Sequence, residues 1–226
     1  MLEAHMSSGR REFLSHLTLG ALGVAALDVL NPAPLHPQQA AGFWDLRWVG
    51  KLTGKYKAVF DIPVIEDGYG VWRAIIWRKQ YAQIFGIPES EMSAVINLRH
   101  DAIALALNQE FWSKYGSGNE WQVRDPLTRE RTSRNPVIER TGTYALPSEY
   151  SDFSLEAQME SGAVVLACAL ALRDCATILS REEGVDIEEA DRRVRQMLVP
   201  GVILQPSGIF SAVLAQDNGC QFVRAS

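Results

Sequence analysis

The sequence predicts an α/β protein, with one three-layer domain built on a five-stranded, mostly parallel sheet that carries helices on both faces. Short segments rich in β-branched residues alternate five times with segments of helical period between residues 55 and 226. The 226 residues are 47% hydrophobic and 22% charged, which is typical of a globular domain with a substantial core. No apolar run reaches the roughly 18–20 residues that cross a bilayer, so we expect no stable membrane span.

The N-terminal segment is typical of an export signal. Arg10 and Arg11 stand together, Phe13-Leu14 follow, and an apolar run then extends from Leu17 to Leu30. Paired arginines in this position predict a twin-arginine signal over residues 1–41, and therefore a periplasmic or other extracytoplasmic location. The alternative is an amphipathic N-terminal helix that stays on the protein, although the apolar run has no polar face.

The first half of the mature chain contains two strand–helix units after a linker or lead-in at 42–54. A strand pattern ends at Pro63, and apolar residues then recur at helical spacing up to Phe85, where Gly86 stops the helix. A second strand pattern leads directly into Arg99, His100 and Asp101. The predicted elements are a strand over Lys55–Pro63, a helix over Val71–Phe85, a strand over Met92–Leu98 and a helix over Ala102–Tyr115.

Residues 116–150 change character, because prolines and glycines replace any helical period. We predict an irregular insertion in the domain. It carries Arg124, Arg129, Arg131 and Arg134. Two interpretations remain open: a solvated loop whose acids offset the arginines, or an arm that binds an anion.

Regular structure returns at Ser154, which is a plausible helix N-cap. Strand and helix then alternate to the end of the chain, although the stretch from 163 to 183 could also form one longer helix. The predicted elements are a short helix ending at Gly162, a strand over Ala163–Cys168, a helix over Ala169–Glu183, a helix over Ile187–Leu198, a strand over Val202–Gln205, a helix over Ile209–Asp217 and a strand over Cys220–Arg224.

The candidate site follows from the carboxyl ends of the predicted strands, where open parallel sheets bind ligands. Strand two ends at Arg99 and His100, strand three ends at Cys168, and strand four is followed by the turn that contains Ser207 and Gly208. Because a helix N-terminus favours thiolate, Cys168 is the candidate nucleophile, and the other four residues are candidate binding groups. The alternative for Cys168 is a small buried core residue.

Other chemistries have little support. The net charge of −5 gives no basic field for nucleic acid, and neither a dinucleotide-binding glycine motif nor a phosphate-binding P-loop is present. Once residues 1–41 are removed, His100 is the last histidine, and three scattered cysteines cannot complete a zinc site with the usual ligand pairs. We therefore expect neither a metal nor a cofactor. The tryptophans, all between Trp44 and Trp121, favour core or subunit contacts over a cofactor site.

Three segments resemble the DsrE/DsrF-like sulfur-relay family. They are the strand–Cys–helix junction at 164–173, the Asn-Leu-Arg-His segment at 97–100, and the closing strand–Pro-Ser-Gly–helix–strand pattern at 202–224. The resemblance covers most of residues 55–226 and implies that Cys168 carries a persulfide. The export signal and the 116–150 insertion differ from the small cytoplasmic relay subunits and are more like exported members of the superfamily.

Two functional classes follow from these observations. In the first, the protein carries or transfers sulfane sulfur on Cys168, with a sulfur-relay protein as partner. In the second, it is a non-enzymatic, oligomeric binding module for a small anion or a partner protein. Whether the protein is an enzyme stays open, and a homo-oligomer is expected from the resemblance and from the surplus of aromatic residues.

Overall fold

The computed structural model describes residues 44–115, 121–138 and 145–226, and the predicted signal at 1–41 lies outside this part of the chain. Five strands form one sheet in the order β4-β3-β2-β1-β5, and every neighbouring pair is parallel. The α/β class and the five-stranded sheet are therefore confirmed. The strands are β1 (Tyr56–Ile62), β2 (Met92–Leu98), β3 (Val164–Cys168), β4 (Ile203–Gln205) and β5 (Gln221–Arg224).

Six α-helices lie within the described residues, and most begin and end close to the predicted bounds. They are α1 (Tyr69–Phe85), α2 (Gln109–Lys114), α3 (Leu155–Glu160), α4 (Ala169–Glu183), α5 (Ile187–Gln196) and α6 (Gly208–Asp217). Ser154 caps α3, since its hydroxyl accepts from the Ala157 N–H at 3.1 Å. The stretch from 163 to 183 is a strand followed by a helix, so the single long helix is excluded.

The prediction of one helix over Ala102–Tyr115 is wrong. A 3-10 helix covers His100–Ala106, and α2 begins only at Gln109. Asn108 separates the two because its side chain accepts from the Phe111 N–H, which makes it an N-cap, and its own N–H donates to the Met197 carbonyl. The Asn135 amide binds the carbonyls of Leu105 and Leu107, so the break leaves these backbone groups paired.

The helices are divided between the two faces of the sheet. The main core packs α1 and α4 against one face, here called the α4 face, through strand residues such as Phe60, Ile96 and Val165. A smaller core on the opposite α6 face joins Val59 and Val95 to α6 and to Trp48. Right-handed crossovers explain this division. From β1 to β4, each new strand is added on the same side of the one before it, so the connecting helices lie on the α4 face. The connection from β4 to β5 runs in the opposite direction, so its helix lies on the α6 face.

The segment before β1, predicted as a linker or lead-in, packs on the α6 face. It forms a 3-10 helix over Arg47–Lys51, and Trp48 is fully buried. Gly54 approaches the loop before β2 so closely that a Cβ atom there would lie 2.7 Å from the Glu91 carbonyl oxygen. A larger residue at position 54 would therefore push the lead-in off the sheet.

Within the predicted insertion, residues 121–138 pack against the β1–α1 and β2–α2 connections, while 116–120 and 139–144 lie outside the described residues. Three of the four arginines in residues 121–138 contact the protein itself. Arg124 donates to the Arg129 carbonyl, Arg129 pairs with Asp67, and Arg134 pairs with Asp125. These contacts favour the loop interpretation over the anion-binding arm.

No helix in the described part of the chain combines the length and the apolar character needed to cross a membrane.

Candidate functional site

The adjacent strands β3 and β4 are followed by helices on opposite faces of the sheet, and we call the space between the starts of these helices the crevice. The helix that follows β3 covers the α4 face, whereas the helix that follows β4 covers the α6 face. In open parallel sheets, ligands bind where the connections from adjacent strands diverge in this way. The first turns of α4 and α6 therefore flank the crevice, and both present the positive end of a helix dipole.

Cys168 lies at the end of β3 and is the N-cap of α4. Its Sγ accepts from the Ala171 N–H at 3.4 Å, and the side chain is 6% exposed. The other two cysteines are also free thiols, but burial raises the pKa of Cys175 and of Cys220. Cys168 is thus the thiol that meets a helix N-terminus at the crevice.

Beside this thiol lies a buried ion pair between the carboxyl ends of β1 and β2. The Arg99 guanidinium donates from Nε to Asp61 Oδ1 at 2.8 Å and from Nη2 to Asp61 Oδ2 at 2.7 Å. This fork geometry is the strong form of the pair. The hydrogen bonds that Arg99 donates to the Asp61 carboxylate raise the pKa of Arg99, and an electrostatic interaction with Cys168 acts in the same direction. Arg99 and Cys168 directly follow the register partners Leu98 and Ala167, so they lie next to each other at the carboxyl ends of β2 and β3.

Asn97 connects this ion pair to the start of α6. Its Nδ2 donates to Asp61 Oδ1 and to the Gly208 carbonyl, both at 2.9 Å. The two acceptors fix the orientation of the amide, and its Oδ1 is buried without a partner among the described residues. Asp61 and Asn97 are both buried, so Arg99 is held by a buried polar network in which one amide oxygen has no partner among the described residues.

Ser207 and Gly208 shape the α6 side of the crevice. The Ser207 hydroxyl accepts from the Phe210 N–H at 3.1 Å and so caps α6. Gly208 lies directly against the Arg99 side chain, and a Cβ atom at position 208 would come within 2.5 Å of Arg99 Cβ. These two residues position the helix and the arginine.

His100 lies at the rim of this network. Its side chain is 70% exposed, and its Nδ1 accepts from the Asp101 N–H at 2.9 Å. The backbone of His100 has a φ of 52°, in the left-handed region that non-glycine residues adopt at an energetic cost. This conformation turns the chain sharply after Arg99 and directs the imidazole toward solvent.

The structure thus brings together Arg99, Cys168 and Gly208, adds Ser207 as a cap, and leaves His100 at the rim. Sequence reasoning missed Asp61 and Asn97, which hold Arg99 in place. The signal for both was a polar residue inside an otherwise apolar strand, in Val-Phe-Asp-Ile and in Val-Ile-Asn-Leu. Among the described residues, no group of three or more histidine, cysteine or carboxylate side chains is arranged to hold a metal ion.

Two surface cavities lie elsewhere on the molecule. One of about 430 Å³ is lined by residues of α1 and α3, and one of about 370 Å³ lies between α4 and α5. Neither cavity is lined by Cys168, Arg99 or Asp61. Chemistry at the thiol would therefore take place at the carboxyl ends of the strands and not in these cavities.

Comparisons with protein-family models, with curated proteins and with solved structures gave no match for this chain. The likeness to the sulfur-relay family therefore stays a prediction from the sequence motifs.

Proposed function

We propose that this protein is an exported sulfur carrier that holds sulfane sulfur as a persulfide on Cys168. One observation carries the proposal: the only thiol at the crevice caps the amino end of α4 and lies next to Arg99. Thiolate is the form that attacks sulfane sulfur, and reactive cysteines in proteins recur at helix N-termini beside basic side chains.

The proposed transfer exchanges one sulfur–sulfur bond for another. The Cys168 thiolate attacks the outer sulfur of a donor persulfide, R–S–SH. A bond forms between Sγ and that sulfur, which keeps its hydrogen, while the donor bond breaks and its electron pair leaves on the thiolate R–S⁻. The products are Cys168–S–SH and R–S⁻, so charge and atoms balance without an external oxidant or reductant.

The experiment is to incubate the full chain with a small-molecule persulfide and to locate added sulfur by peptide mass spectrometry. We expect the mass of one sulfur atom on the Cys168 peptide, and its release by a reducing thiol. Cys168→Ser should abolish the gain. Cys220→Ser removes a buried thiol outside the crevice and is the matched control that should keep it. Sulfur on Cys175 or Cys220 alone, or on no cysteine, would overturn the proposal.

The second candidate is anion binding at the same crevice without sulfur transfer. It rests on the two helix N-termini that flank the crevice and on Arg99, whose side chain packs against Gly208 at the start of α6. Calorimetric titration with a small oxyanion distinguishes the two candidates. Binding that is equal in the wild type and in Cys168→Ser, with no sulfur loading, would favour this one.

A further inference from the structure

The helix α6 is apolar on its outer side as well as on the side that contacts the sheet. Gly208, Ser211, Ala212 and Ala215 are buried against the strands. On the outer side, Ile209 is 72% exposed and Val213 is 51% exposed, with Phe210 also exposed. A helix at the surface of a monomer normally presents polar residues to water, and one that is apolar all round is covered on both sides.

The apolar surface continues onto the edge of the sheet. Phe222 of β5 is about half exposed, and its register partner on β1 is Val59, whose side chain belongs to the core on the α6 face. Because side chains of parallel register partners point to the same side, Phe222 lies on the α6 face too. We call Ile209, Phe210, Val213 and Phe222 the α6 patch.

We infer that the α6 patch is the contact surface between two copies of this chain. The helix carries no charge from Gly208 to Gln216, and Asp217 at its end is its only ionised residue. Each copy has a net charge of −5, so copies repel unless they meet through an uncharged surface. A partner of opposite charge would be recognised by charged groups around its contact surface. The α6 helix has no charged residue among the nine from Gly208 to Gln216.

A two-fold axis fits the order of residues along α6. In an antiparallel pair of helices, Asp217 of one copy lies near the amino end of the helix in the other, where the helix dipole and Arg99 are positive. Val213 is four residues from Ile209 and four from Asp217, so it occupies the middle of the outer face. The inference is therefore that Val213 lies at the two-fold axis and faces itself.

The position of Val213 allows a direct test by cross-linking. In the full chain, Val213→Cys should form an intermolecular disulfide under mild oxidation at micromolar concentration, because equivalent residues at a two-fold axis meet disulfide geometry. The matched control is Ile84→Cys, since Ile84 is 69% exposed but lies in the last turn of α1. The three native cysteines are buried, so the unmodified chain supplies the background.

Sedimentation gives the second measurement. We expect the wild type to sediment at twice the 25.1 kDa mass of one chain. Val213→Asp should sediment at the mass of one chain and keep the circular dichroism spectrum of the wild type. Ile209→Asp is a second variant for which we expect the same result. A monomeric wild type, a dimeric Val213→Asp, or cross-linking of Ile84→Cys as efficient as that of Val213→Cys would overturn the inference. A dimer formed through a segment other than α6 would appear as a dimeric Val213→Asp. Because Cys168 takes no part in the proposed contact, these outcomes do not depend on sulfur loading.

Discussion

Position 208 requires glycine because Arg99 occupies the space where a side chain would begin. A Cβ atom there would lie 2.5 Å from Arg99 Cβ and 2.6 Å from its Cδ. The Cβ atom of Arg99 is bonded directly to the backbone at the end of β2, so it cannot rotate away. We expect Gly208→Ala to displace Arg99 from Asp61, to lower the free energy of unfolding by about 1–3 kcal/mol as overpacking does, and to reduce sulfur loading on Cys168. Urea denaturation and the loading assay measure the two effects.

Gly50 is the matched control for this substitution. A Cβ atom at position 50 would meet nothing within 4 Å, so Gly50→Ala should change the free energy of unfolding by less than about 0.5 kcal/mol. Equal stability of the two alanine variants would show that the contact between residue 208 and Arg99 is not tight in solution.

The residues of the site were accessible to sequence reasoning to different degrees. Cys168 and Ser207 were found because each ends a strand or a turn before a helix, and that is a local pattern. Asp61 is 38 residues from Arg99 along the chain, and their ion pair depends on β1 and β2 being neighbours. A charge within a buried strand needs a partner, but the strand alone does not say which one.

At the scale of elements, Glu183 joins three helical segments at the end of α4. Its carboxylate accepts from the Tyr115 hydroxyl at 2.6 Å and pairs with Lys114 and Arg193, each at 2.5 Å. These contacts, with that of Lys114 the largest, lower the pKa of Glu183 from 4.5 to about 2. A lowered pKa in the folded state stabilises the protein above the unfolded pKa, and this stabilisation is lost as the pH falls from 4.5 towards 2.

We therefore expect the free energy of unfolding of Glu183→Gln to fall less steeply at acid pH than that of the wild type. Urea midpoints measured at neutral pH and near pH 2 should differ less in this variant than in the wild type. Glu182→Gln is the control, because Glu182 is exposed and its ion pair is with the adjacent, exposed Arg181. An acid limb that is equally steep in Glu183→Gln and the wild type would contradict the assignment of the Glu183 contacts.

The break between the 3-10 helix and α2 shows where element prediction fails. Apolar residues at helical spacing run through Ala102–Tyr115, so the pattern indicates one helix. The N-cap signal at Asn108, with Glu110 in the first turn, was present in the sequence. What decided the outcome is tertiary: Asn135 and Met197 supply partners to the backbone groups around the break, and neither residue is near it in sequence.

At the scale of the whole molecule, alternation of strand and helix was sufficient to predict the sheet, because parallel neighbours require crossover helices. The strand order was not predictable from the same pattern. Because β5 pairs with β1 rather than with β4, α6 lies on the face of the sheet opposite α4, and this placement produces both the crevice at Cys168 and the α6 patch.

Export is the prediction that concerns the whole chain. The paired Arg10 and Arg11 ahead of an apolar run predict the twin-arginine route, which carries folded proteins. A parallel sheet suits this route, since its strands pair only after long stretches of chain have been made. We expect replacement of both arginines by lysine to leave full-length precursor in the cytoplasm, while the wild type appears in the periplasm without the predicted signal at 1–41. Arg47→Lys, at an exposed arginine beyond the predicted signal, is the control and should be exported normally. Fractionation followed by immunoblotting makes the comparison, and equal export of the double-lysine variant would exclude this route.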